Sequence, residues 1–118
     1  MRADERDAAC LWDILEASRN ILHFTSGLDF QNYLDNQILQ LAVERELEII
    51  GEAARNLSQE FRNSHEDIPW KAVVSLRNVI AHQYGAIMQD RIWRVVQTRL
   101  PELIEKIEKF IPPSPEST

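Results

Sequence analysis

The stretch that decides the fold is Ile68-Pro69-Trp70-Lys71-Ala72-Val73-Val74-Ser75-Leu76-Arg77-Asn78-Val79-Ile80-Ala81-His82-Gln83-Tyr84-Gly85. Proline is tolerated in the first turn of a helix, so Ile68-Pro69-Trp70 reads as a helix start. The helix should reach His82 or Gln83 and stop at Gly85. At about 100° per residue, Ala72, Val73, Leu76, Val79 and Ile80 fall on one side, the face expected to enter a core. Arg77, Asn78, Ala81, His82 and Tyr84 gather on the other.

The same period extends outward in both directions. Upstream, a long helical pattern over 36–57 carries Ile38, Leu41, Ala42, Ile49 and Ala53. An earlier one over 7–24 carries Leu11, Ile14, Leu15, Ser18, Ile21 and Leu22, with charged residues mostly outside the stripe. Ser26-Gly27 closes that first helix, and Asp29 is placed to cap a short one beginning at Phe30. Residues 58–66 read as a polar connection with one helical turn. Downstream, a last helix spans 90–111, with a kink or break near Leu100-Pro101 because proline removes a helical hydrogen bond. Pro112-Pro113-Ser114-Pro115 ends it, and the tail 112–118 is expected to be disordered. With no strand pattern, Gly-rich phosphate loop or internal repeat, the expectation is an all-α antiparallel helical bundle of four to five main helices. It forms one domain over residues 1–111.

Composition bounds the function. The chain has 118 residues, enough for one core, and is 44% hydrophobic and 27% charged, an ordinary globular balance. No apolar run is long enough to span a membrane, and charges occupy the N-terminus where a signal peptide would be apolar. Cys10 is the single cysteine, which excludes an intrachain disulfide and points to the cytoplasm. A net charge of −6 argues against a general nucleic-acid coat but leaves room for a local basic patch. One cysteine and three dispersed histidines have no metal-ligand spacing, so no metal and no cofactor are expected. His23 and His65, isolated in sequence, read as solvated.

Arg77, Asn78, His82 and Tyr84 suit the handling of a phosphate ester. Histidine moves protons near neutral pH, and arginine holds phosphate oxygens. Arg77 and His82 lie about 140° apart on an ideal helix, so two copies across a dimer axis would converge them more easily than one. Glu44, Glu48 and Glu52 form an i,i+4 like-charge stripe, mildly unfavourable unless cations face it. That stripe is either a solvated face relieved by Arg45 and Arg55, or it places Glu52 to pair with Arg77 or His82.

The string Arg77-Asn78-x-x-Ala81-His82-x-Tyr84 resembles the motif of the HEPN superfamily, and within it the HepT-like branch. Arg45-Glu46-Leu47-Glu48-Ile49-Ile50-Gly51-Glu52-Ala53-Ala54 resembles a further segment of that branch, as do Leu57-Ser58, Ile68-Pro69-Trp70 and Trp93. The resemblance covers about residues 5 to 108. It implies a homodimeric helical bundle with the two motif helices lining a cleft. It also implies a metal-independent endoribonuclease toxin of a type VII-like pair, encoded beside an MNT-type nucleotidyltransferase antitoxin. On that resemblance Arg77 and His82 are catalytic, Asn78 and Glu52 supporting, and Tyr84 the site of silencing AMP attachment. A second reading is a non-catalytic nucleotide- or substrate-binding subunit of the nucleotidyltransferase, which the acidic charge slightly favours.

Overall fold

The computed structural model describes residues 3–82 and 85–111, with side chains described over 5–77 and 88–111. The described elements are all helical: α1 (Ala3–Thr25), α2 (Phe30–Leu34), α3 (Gln37–Arg55), α4 (Gln59–Ser64), α5 (Trp70–His82), α6 (Gly85–Arg94), a π-helical segment (Val95–Arg99) and α7 (Leu100–Glu108). The tail expected to be disordered, 112–118, lies outside the described residues.

The local signals of the first half hold. α1 buries the stripe read from its periodicity, Leu11, Ile14, Leu15, Ser18 and Ile21. Two of its buried hydroxyls are satisfied one turn back: Ser18 Oγ donates to Ile14 O at 2.7 Å and Thr25 Oγ1 to Ile21 O at 2.8 Å. Gly27 ends the helix in the left-handed region at φ 76°, where L side chains are disfavoured. Asp29 caps α2 in a reciprocal box with Asn32, and Asn36 caps α3 by accepting from Leu39 N at 3.0 Å. Ser58 caps α4 while donating from Oγ to Asp7 Oδ2 at 2.7 Å, which ties α4 to α1.

α3 is the centre of the bundle, packing on α1 along one side and on α5 along the other. Its buried residues are Leu39, Val43, Leu47, Ile50, Gly51, Ala53 and Ala54. This corrects the apolar stripe expected through Ile38 and Leu41, which are 82% and 59% exposed. The i,i+4 run from Leu39 to Ala54 supplies a complete core face, and Ile38 and Leu41 are apolar residues left over on the outer one. α7 returns against α1, where Arg19 Nη2 meets Glu108 Oε2 at 2.6 Å.

Three further expectations are corrected or sharpened. α5 ends at His82 as expected, but the next helix, α6, begins at Gly85 rather than Asp90, and its Met88 and Ile92 continue into Val96 as one buried i,i+4 stripe. The disturbance expected near Leu100-Pro101 is present, and takes the form of the π segment just before the proline, where Leu100 N donates to Val95 O five residues back. Proline has no N–H for the carbonyl of Gln97, and widening the preceding turn accommodates that loss. His65 is not a freely solvated ring. It stacks on Phe61 and lies against Phe110, each with ring centroids 4.3 Å apart. Its Nδ1 lies 3.2 Å from Phe61 O.

Candidate active site

α5 starts where the Ile-Pro-Trp segment predicts. Ile68 and Trp70 are buried, Trp70 Nε1 donates to His65 O at 2.9 Å, and Val73 N donates to Pro69 O at 3.0 Å. The first helical turn is therefore pinned at both its backbone and its ring. Val73 enters the core as expected; Ala72 does not, being exposed on the rim of an apolar cleft shared with Leu76 and Val95.

Arg77 is also placed differently from a simple two-faced wheel. It stands at the boundary between core and solvent, with its Cβ against α3 rather than opposite it. The reason is Gly51. A Cβ built there would lie 3.2 Å from Arg77 Cβ, 3.3 Å from Arg77 N and 3.3 Å from Val74 O. A residue without a side chain lets α5 approach to this distance. Glu52, next along α3, then reaches Arg77: Nη1 donates to Oε2 at 3.1 Å. Both side chains remain about half exposed, at 51% and 50%. Solvent screens such a pair, so its effect is on where the guanidinium points more than on stability.

The pair lines an open cleft of 420 Å³ together with Asp13, Arg45, Glu48 and Asn56. The glutamate stripe resolves into individual partnerships: Glu44 accepts from Gln89 Nε2 at 3.2 Å, Glu48 faces Arg45 Nη1 at 3.4 Å, and Glu52 takes Arg77. Burial raises the pKa of the Asp13 carboxyl. Burial, with Asp13 and Asp7 nearby, raises that of the Cys10 thiol at the floor of the cleft, against a smaller opposing effect of Arg6. Asp13 and Asn56 were not singled out in sequence: each sits among residues of ordinary helical pattern, and only the packing of α1 on α3 brings them here.

The backbone of α5 carries Asn78 and His82 in helical conformation, but their side chains lie outside the described ones, and Tyr84 lies outside the described residues altogether. The structure thus brings Arg77 and Glu52 together and leaves the other three candidate residues to chemistry and spacing.

α6 is held by a separate buried chain of polar contacts. Tyr33 Oη, fully buried, donates to Gln89 Oε1 at 2.5 Å, and Gln89 in turn donates to Glu44. Burial, and secondarily the Glu44 charge, pushes the Tyr33 phenol well above its usual 10.0. This network ties α6 to α2 and α3. Among the described residues no helix is long and apolar enough to cross a membrane.

The described residues thus form an all-helical bundle with an ion-paired arginine on the lining of an open polar cleft. Residues 14–110 match the profile of the family described as "Ribonuclease HepT-like", and the chain belongs to that family. It is similar to two Methanocaldococcus jannaschii proteins, each named "Putative RNase". One is 37% identical over 100 residues, covering 85% of this chain and 92% of the relative. The other is 40% identical over 103 residues, covering 87% and 85%. A protein of Thermococcus cleftensis named "Probable ribonuclease HepT" is 37% identical over 100 residues, covering 85% of this chain and 91% of that one. No solved structure matches the chain significantly.

Proposed function

We propose that this chain is a metal-independent endoribonuclease that acts as a homodimer and serves as the toxin of a type VII-like pair. The observation that carries the reading is the Glu52–Arg77 pair. In a member of the HepT-like ribonuclease family, it holds a half-exposed guanidinium at a cleft, on the helix that bears His82 one to two turns further on.

In this mechanism His82 removes the proton from a ribose 2′-hydroxyl, and the freed oxygen attacks the adjacent phosphorus. The bond to the 5′-oxygen breaks, and that oxygen takes a proton from an imidazolium. The products are a 2′,3′-cyclic phosphate and a free 5′-hydroxyl. Arg77 neutralises the charge that grows on the non-bridging oxygens. One Nη1–H is committed to Glu52, and the remaining donors of the fork stay available for phosphate. Glu52 is a positioning residue. Asn78, one turn before His82, orients the imidazole or hydrogen-bonds phosphate.

Exposed Ile38 and Leu41 support a second copy as partner. They continue through Arg45 and Glu48 to Glu52 on one outer stripe of α3, so an apolar patch leads directly to the proposed site. Regulation follows from charge. A nucleotidyltransferase antitoxin that attaches AMP to Tyr84 adds a bulky anion close to Arg77 in sequence, occupying the phosphate site and offsetting the arginine.

The test is RNA cleavage by the purified chain in excess EDTA, beside Arg77→Ala and His82→Ala, with product ends identified. Cleavage by the parent alone, leaving cyclic phosphates, is the expected result. No cleavage by chain whose Tyr84 mass spectrometry shows unmodified would transfer the assignment to a nucleotidyltransferase-binding subunit. In cells, toxicity on overexpression is expected to be relieved by His82→Ala.

A further inference from the structure

The N-terminal end of α5 opens into a second cleft, of 500 Å³, whose polar wall includes Arg62 and Asn63 from α4 and Lys71 and Ser75 from α5. Arg62 Nε is buried and has no hydrogen-bond partner. Neither Arg62 nor Lys71 takes part in an ion pair among the described residues, whereas Arg19, Arg45, Arg77, Arg94 and Lys106 each do. That Nε–H is enclosed by protein and out of reach of a ligand, so what the cleft offers an anion is the part-exposed remainder of Arg62 and the exposed Lys71. In the first turn of α5 the N–H groups of Trp70 and Val73 are taken by Ile68 O and Pro69 O, which leaves those of Lys71 and Ala72 and the positive end of the helix dipole.

We infer that the Arg62–Lys71 cleft is a second phosphate-binding subsite that holds a backbone phosphate of single-stranded RNA away from the bond to be cleaved. The inference rests on the ribonuclease reading and supplies its substrate contact. Positions 71, 75, 78 and 82 follow one line along α5, so Lys71 begins the stripe on which Asn78 and His82 stand. The line is about 16 Å long at a helical rise of 1.5 Å, too far for one phosphate to serve both ends.

Charge and shape narrow the ligand further. Glu66 stands on the rim of the same cleft, exposed. Two cations facing one carboxylate suit the single charge of a phosphodiester better than a terminal phosphate dianion. Trp70, at the floor, is buried and commits its indole N–H to His65 O, so it offers no free ring face for a base. The subsite reads backbone rather than sequence, and its contribution depends on salt.

The test is fluorescence anisotropy with a labelled single-stranded 2′-O-methyl oligoribonucleotide, which lacks the attacking hydroxyl and cannot be cut. The whole chain is titrated over a salt series beside Lys71→Gln and Arg62→Gln. Each variant is expected to bind roughly three- to tenfold more weakly at low salt, with the slope of log K against log salt reduced by about 0.7 for each phosphate no longer neutralised. Parent affinity and parent slope in both variants would overturn the subsite, as would a parent chain that does not bind the oligonucleotide. Lys71 is exposed, so Lys71→Gln carries the test alone if Arg62→Gln does not fold. Cleavage is scored separately on unmodified RNA, where the variants should raise KM more than they lower kcat. A parent that binds but does not cut would refute the ribonuclease reading and leave the anisotropy result to decide the subsite.

Discussion

Gly51 lies directly against Arg77, so that a Cβ at Gly51 would stand 3.2 Å from the Cβ of Arg77. The neighbouring Glu52 takes the Arg77 guanidinium at 3.1 Å. Consecutive residues of α3 thus divide the task of placing one arginine: Gly51 sets how near α5 comes, and Glu52 sets where its cation points.

Gly51→Ala tests the first half of that division. A helical Gly→Ala change by itself favours the helix by about 1 kcal/mol. Two of the three atoms in the way, Arg77 N and Val74 O, are backbone and cannot rotate aside. Overpacking of this kind costs about 1–3 kcal/mol, so a net loss of roughly 1 kcal/mol and a Tm lower by a few degrees are expected. Cleavage should fall through kcat, because α5 and its guanidinium shift together. A higher Tm with unchanged cleavage would show that the close approach is dispensable.

Glu52→Gln tests the second half. The side chain keeps its length and an acceptor but loses the charge, and with both partners half exposed the change in stability should stay under about 1 kcal/mol. Activity should drop on the order of tenfold, against a hundred- to a thousandfold loss for Arg77→Ala, as when a group that stabilises transition-state charge is removed. Calorimetry beside steady-state cleavage separates the two effects. Glu52→Gln with full activity would return Glu52 to the status of an ordinary surface carboxylate.

How far the sequence could be read depended on whether a feature was local. Gly27, the Asp29 cap, the Pro69 helix start and the α1 stripe depend on their near neighbours, and each appears where the pattern puts it. The outer face of α3 could not be read, because Ile38 and Leu41 carry the same apolar signal as the buried Leu39 and Val43. Only the packing partners decide between those faces. The end of α5 at His82 is legible from Gly85, while the start of α6 at Gly85 rather than Asp90 is not, because the Met88–Ile92–Val96 stripe that sets it lies further on. Arg77 was visible as a residue type, but its seat against Gly51 is a tertiary fact. The same holds for Asp13, and for the meeting of Arg62 with Lys71.

The buried Tyr33–Gln89–Glu44 chain gives a pH-dependent signature. In the folded chain burial holds the Tyr33 phenol above its usual 10.0, so above pH 10 the unfolded state releases a proton that the folded state keeps. Stability is therefore fully present below the unfolded value and falls as pH rises beyond it. Tyr33→Phe should flatten this alkaline fall. It should also cost about 1–3 kcal/mol at neutral pH, because Gln89 Oε1 loses its donor while buried. Denaturant melts of parent and variant across pH 8 to 11 check both outcomes at once; parallel curves would contradict the assigned cause.

Ile38 and Leu41 distinguish a dimer surface from surplus apolar residues. Their exposure of 82% and 59% means that neither contributes to the core of one copy. Ile38→Glu with Leu41→Glu should leave helix content intact and change monomer stability by no more than about 0.5 kcal/mol, as surface substitutions do. If the outer stripe of α3 seats a second copy, the double variant sediments as a monomer at concentrations where the parent is dimeric. Its cleavage is then expected to fall in the same proportion as its dimer content, because two copies bring Arg77 and His82, about 140° apart on one helix, to a single phosphate more easily than one. A parent that is already monomeric, or a variant that stays dimeric, would place the interface elsewhere. Full cleavage by a monomer would show instead that one copy of α5 can bring both residues to a single phosphate.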